Sequence, residues 1–89
     1  MSVNVKNING TANRIPPDGS SSWKEYWEKY TNRSFSTCSN LSCNNHAILG
    51  GHVMKVNFER TWYITPLCSG CNMKSDSFYV NESSLVPAR

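Results

Sequence analysis

Four cysteines carry the clearest chemistry in this chain. Cys38 and Cys43 are separated by four residues, Cys68 and Cys71 by two, and both gaps fall in the range at which paired thiolates reach one zinc ion at about 2.3 Å. Short gaps let two sulfurs leave a single tight turn, and Gly70 within Cys68-Ser-Gly-Cys71 is expected to permit that turn. Four thiolates close a tetrahedral site and leave no position for water, so the zinc ion they imply is structural rather than catalytic. His46, three residues after Cys43, is the alternative fourth ligand. Paired disulfides are the other use of four cysteines, but thiols stay reduced in a reducing compartment, where such a cluster reads as a metal site.

The compartment is argued from what the chain lacks. No stretch approaches the roughly 18 apolar residues of a membrane helix, and residues 1 to 19 hold no apolar run of the kind a signal peptide needs. The expectation is a soluble, cytoplasmic protein with no membrane partner. Four N-x-S/T matches, at Asn9, Asn32, Asn40 and Asn81, would matter only in a secreted protein. Nine basic against six acidic residues give a net charge of +3, but the basic residues are scattered. They hint at a phosphate-binding face without excluding an ordinary solvated surface.

The elements that must position the cysteines are then few. At 89 residues the chain is one domain, and at this size burial and ordering nearly cancel, so a staple is expected. Residues 1 to 19, rich in Asn, Gly and Pro with only Val3, Val5 and Ile8 suggesting a strand, read as a flexible or draped arm. Residues 20 to 89 read as a single zinc-binding domain. Trp23, Tyr26, Trp27 and Tyr30 recur at the spacing of one helix face, with Ser22 and Glu25 as a capping-box pair. That stripe suits a core better than a base-stacking platform. Residues 52 to 56 and 61 to 65 predict a β-hairpin turning over Asn57 to Arg60, Phe78 to Val80 predicts a further strand, and Leu85, Val86 and Pro87 close the fold. The order is aromatic helix, cysteine knuckle, hairpin, second cysteine pair. It is the layout of a small α+β, treble-clef-like zinc domain.

Gly50-Gly-His52-Val, a hairpin, and Ile64-Thr-Pro-Leu-Cys68-Ser-Gly-Cys71-Asn72 resemble the core of the zinc-stapled HNH endonucleases. The resemblance spans about residues 38 to 75. The chain is also similar to small bacterial and phage proteins with Gly-Ala/Gly-His-Val followed by Pro-Leu-Cys-x-x-Cys-Asn, in which an aromatic helix precedes the first cysteine. The resemblance implies that His52 is the general base activating water for attack on a phosphodiester. It implies that Asn72 binds a catalytic Mg or Mn ion. Two departures tell against cleavage: Gly51 stands where many such nucleases have a metal-binding Asp, and the middle Asn aligns with Tyr63 or with nothing. Asp76 is the nearest carboxylate that could substitute as a hard ligand. No Gly-rich phosphate loop or G-x-S-x-G turn is present.

Three functions therefore stand at this level. The first is a non-catalytic zinc module of HNH-like fold that binds nucleic acid, DNA among them, or a partner protein, with His52 packed beside the knuckle. The alternative is a divergent HNH endonuclease using His52. The third is a small accessory protein acting on a host factor by contact alone, with Trp62 and Tyr63 among its anchors.

Overall fold

The computed structural model describes residues 1–8, 16, 18–57 and 60–88. Five strands form one antiparallel sheet: β1 (Ser2–Asn7), β2 (Leu49–Lys55), β3 (Trp62–Leu67), β4 (Phe78–Asn81) and β5 (Val86–Pro87), in the spatial order β4-β1-β2-β3-β5. Two helices accompany it, α1 (Trp23–Thr31) and the single turn α2 (Ser69–Asn72), and a 3₁₀ turn (Glu82–Ser84) joins β4 to β5.

The helix predicted from the aromatic stripe is α1. Ser22 caps it, its hydroxyl accepting from the Glu25 backbone N–H at 3.1 Å, while the Glu25 carboxylate reaches back to the Ser21 N–H at 2.7 Å. Asn32 ends it in the left-handed region at φ 57°, a conformation Asn tolerates better than most residues. Of the four aromatic residues Tyr26 and Trp27 are buried, Trp23 is half-buried and Tyr30 is exposed.

The hairpin is β2 and β3, with His52 opposite Ile64 and Val53 opposite Tyr63. Both strands extend beyond the sequence expectation at the end remote from the turn. β3 runs through Pro66, which the neighbouring β5 does not reach, since β5 pairs only with Tyr63 and Ile64. Residues 58 and 59 of the expected turn lie outside the described residues.

The expectation of a draped arm over residues 1 to 19 does not describe how the chain begins. Residues 2–7 are β1, paired on one side with β4 and on the other with β2. Val5 is fully buried and packs with Val53, Phe78 and Val80, which is the burial that holds an Asn-rich segment in the sheet. The rest of that segment, residues 9–15 and 17, with the Asn9 match and Arg14, lies outside the described residues, as does Arg89.

Side chains alternate across the sheet, and the two faces carry different partners. Val3, Val5, Val53, Leu67, Phe78 and Val80 point to the face covered by the cysteine segments. Ile64 and Val86 point to the other, beneath Tyr26 and Trp27 of α1. Gly50 and Gly51 mark where both coverings come closest. A Cβ on Gly50 would lie 2.9 Å from the Trp23 carbonyl carbon, and one on Gly51 would lie 2.5 Å from Leu67 Cδ1 and 2.9 Å from Asn72 Oδ1. Adjacent glycines thus admit α1 on one face and Leu67 with α2 on the other.

Candidate metal centre

The first cysteine pair sits in a loop that closes on itself by backbone hydrogen bonds. The Cys38 N–H donates to Asn45 O at 2.8 Å, the Ala47 N–H to Ser36 O at 2.8 Å, and the Cys43 N–H to Asn40 O at 2.9 Å. This loop is moored to the sheet by the Ser39 N–H on Pro66 O at 2.8 Å and the Leu41 N–H on Tyr79 O at 2.9 Å. The second contact also covers part of the β4 edge. The second pair opens α2, with Cys68 at the N-cap, its sulfur accepting from the Cys71 N–H at 3.4 Å.

The four sulfurs, of Cys38, Cys43, Cys68 and Cys71, all lie within 4.8 Å of one another, and the cysteines are unpaired as disulfides. Cys43 Sγ and Cys68 Sγ are 3.8 Å apart, which is about the edge of a tetrahedron whose centre is about 2.3 Å from each sulfur. The cluster could hold one metal ion. His46 is exposed and lies outside the cluster.

Donors point at the sulfurs from several directions. Asn40 Nδ2 reaches Cys71 Sγ at 3.3 Å while Asn40 Oδ1 accepts from the Ser42 N–H at 3.0 Å. The Asn45 N–H reaches Cys43 Sγ at 3.5 Å. Asn7 Nδ2 ties β1 to the end of α2 through Cys71 O at 2.9 Å and Lys74 O at 3.0 Å. The Cys71 N–H beside it pulls Cys68 down to about 6. Burial pushes Cys71 up to about 12 and raises Cys38 as well. One thiolate is thus favoured by local donors, while the buried thiols need a cation before they ionise.

The sequence assigns no role at the metal centre to the asparagines at positions 7, 40 and 45. Asn40, between the first two cysteines, carried the one available signal, since short amide side chains inside a ligand loop commonly orient it. Gly70 is a correction of the opposite kind. Its backbone φ is not in the left-handed region, and nothing lies within 4 Å of where its Cβ would be. A one-turn helix supplies the tight spacing without glycine.

His52 and Asn72 are not brought together. His52, 7% exposed, lies on the α1 face, edge-on to Trp23 at 4.7 Å between ring centres and near Trp62 at 6.3 Å. Asn72 Oδ1 lies against Gly51 on the cysteine face, and successive residues of a strand point to opposite faces. Tyr63, opposite Val53, also packs on the cysteine face, beneath Lys55 Nζ at 5.2 Å. Asp76 is exposed, 3.6 Å from Lys74 Nζ. A side chain at position 51 would require Leu67 and Asn72 to shift.

Among the described residues no helix is long and apolar enough to cross a membrane. No protein-family model, curated protein or solved structure matches the chain.

Proposed function

We propose that this protein is a zinc-stapled, treble-clef-like module of HNH-like architecture that acts by binding nucleic acid or a protein partner and does not cut phosphodiesters. The observation that supports this most strongly is the separation of His52 from Asn72 by the sheet, next to a cysteine cluster with no ligand position left for chemistry. A general base must sit within hydrogen-bond reach of a water that the catalytic ion also touches, and the backbone of β2 stands between the two side chains. His52 then serves as a packed ring between Trp23 and Trp62, and Asn72 as a filler over Gly51. Zinc is the ion that four thiolates at this spacing favour. When bound, it fixes the loop and α2 to each other and leaves the chemistry of the module to its surface.

The deciding experiment is metal analysis of protein purified without added zinc, followed by incubation of the same sample with plasmid and Mg²⁺ or Mn²⁺ beside His52→Ala. We expect one tightly held zinc per chain and intact plasmid. Nicking that needs added metal and disappears in His52→Ala would overturn the reading in favour of a divergent endonuclease. Metal-free protein with paired disulfides would overturn both.

A further inference from the structure

A groove of about 440 Å³ opens between the end of α1, the first cysteine loop and the 3₁₀ turn. We propose that it binds the backbone of a single nucleic-acid strand, one phosphate at a time, with Arg33 as the phosphate contact. The proposal rests on the reading of the protein as a zinc-stapled binding module and names the surface and the chemistry that reading leaves open.

The charge of the groove favours an anion. Among the described residues no Asp or Glu lines it, and Arg33 is its one cation. Lys29, Lys55 and Lys74 each face a carboxylate, whereas Arg33 meets none among the described residues. Its guanidinium lies over Trp27 at 5.0 Å and gives one hydrogen bond, to Ser83 O at 2.6 Å. Those two contacts hold the group in place, and of its five N–H donors most remain for an oxyanion. A planar, pre-oriented guanidinium is the usual group for recognising phosphate.

Polar residues and a further cation surround that charge. Ser34, Ser36 and Thr37 line the same groove and are exposed, residue types whose hydroxyls serve as neutral donors and acceptors for phosphate and sugar. A second cation continues the surface: Lys24 Nζ lies 5.6 Å over Phe35, which is edge-on to Trp27 at 5.3 Å. Lys24 and Arg33 are thus each seated on one ring of the packed pair formed by Phe35 and the buried Trp27, so a single aromatic contact holds both cations.

Shape selects the strand. The volume falls at the lower end of the roughly 300–1,000 Å³ typical of small-ligand pockets, room for about one nucleotide unit rather than for the outside of a duplex. An unstacked strand can place one unit at a time in such a space, whereas the stacked units of a duplex are held apart from it by the helix. Cys38, Asn40 and Cys43 belong to the same wall, so the ion that fixes the cysteine loop also shapes the groove.

The test uses the full-length, zinc-loaded protein and the anisotropy of a short labelled single-stranded oligonucleotide over a range of salt. Arg33→Gln is expected to weaken binding roughly tenfold and to reduce the salt slope by about 0.7, the signature of one lost strand phosphate. Ser36→Asp, which puts a negative charge on the wall, should weaken binding as well. Lys6→Gln, at an exposed position of β1, should leave it unchanged, and chelation should abolish it. Unchanged affinity in both groove variants would overturn the proposal. So would tighter binding of a duplex, or of an acidic peptide, than of the single strand. Equal affinity for a free nucleoside monophosphate would assign the groove to a metabolite and likewise overturn the strand. Zinc content in every sample separates these failures from failure of the module itself: a wild type without zinc sinks the underlying reading, whereas one zinc without strand binding sinks only the groove.

Discussion

On one face of the sheet α1 lays Tyr26 and Trp27 over Ile64 and Val86, while on the other an irregular loop and a single helical turn cover Val5, Val53, Leu67 and Val80. The first covering is self-sufficient. Its rings pack edge-on, Trp23 with Tyr26 at 4.9 Å and Trp27 with Phe35 at 5.3 Å. Its polar tips are satisfied, Tyr26 Oη on Pro87 O and Trp27 Nε1 on Ser84 O, both at 2.8 Å. The second has no comparable means of standing alone. A helix of four residues is far below the length at which helices persist unaided, and the loop beside it consists mostly of small polar residues. The contrast shows how 89 residues cover both faces of a five-stranded sheet: aromatic area holds one side, and an ion can hold the other.

The largest effect should therefore come from removing the metal. Chelation, or Cys71→Ser, takes away a contribution on the order of 10 kcal/mol, about the whole stability of a small domain. We expect the cooperative thermal transition followed by circular dichroism to disappear or to move far down in temperature. A melting curve indifferent to a strong chelator would break the comparison at its root.

The matching perturbation of the other face is Trp27→Ala, which removes a ring 3% exposed and should cost about 3–5 kcal/mol in chemical denaturation. Zinc stoichiometry should stay at one per chain wherever the variant is folded, because the cysteines do not depend on α1 for their mutual placement. Loss of zinc from folded Trp27→Ala would show that the two faces are not independent.

Gly50 and Gly51 sharpen the contrast within one dipeptide. A methyl group at either should cost about 1–3 kcal/mol, since each would meet buried or backbone atoms at 2.5–2.9 Å. The readouts should differ. Gly50→Ala pushes on the first residue of α1 and is expected to change Trp23 fluorescence while zinc affinity holds. Gly51→Ala pushes on Leu67 and Asn72 and is expected to lower zinc affinity in a competition assay while the fluorescence holds. Identical effects of both on both readouts would contradict the division of faces.

How much of this was legible beforehand follows from the range of each signal. Local signals read well: the cysteine gaps gave the cluster that comes together at Cys38, Cys43, Cys68 and Cys71, and the aromatic period with Ser22 gave α1. Signals that depend on a distant partner did not. Ser2–Asn7 carries only two valines, and its place in the sheet is decided by β4, more than seventy residues later, and by an Asn7 amide that finds carbonyls at Cys71 and Lys74. The parity that parts His52 from Asn72 was implicit in the Gly51-His52 dipeptide once a strand was assumed. Which element covers each face was not. Likewise the groove at Arg33 joins residues 33–44 to 81–84, a pairing no spacing announces.

The smallest expected effect lies in the strap that leads into α1. Asp18 Oδ1 accepts from the Ser20 N–H at 3.0 Å and Asp18 Oδ2 from Lys29 Nζ at 3.1 Å, so the segment before the helix is tied to its last turn. The Ser20 N–H, aided by Lys29, holds the Asp18 carboxyl down at about 2, and Asp18 in turn raises Lys29. A carboxyl whose folded value is depressed contributes fully above its unfolded value of about 3.9 and loses that contribution only as pH falls through the folded value. The raised Lys29 contributes fully below about 10.4 and loses its share as pH rises beyond it. The strap is thus constant across neutral pH, whereas thiolates holding a metal would compete with protons for it as pH falls. Asp18→Asn keeps an acceptor for Ser20 and removes the charge. We expect a slight loss of stability, the same from about pH 8 to about pH 5 and diminished by added salt because Lys29 is open to solvent. Denaturant midpoints of wild type and variant across that range measure it. A difference that changes with pH there would mean that the carboxyl is not held low, and the aromatic face would then share the acid sensitivity that belongs to the cysteine face.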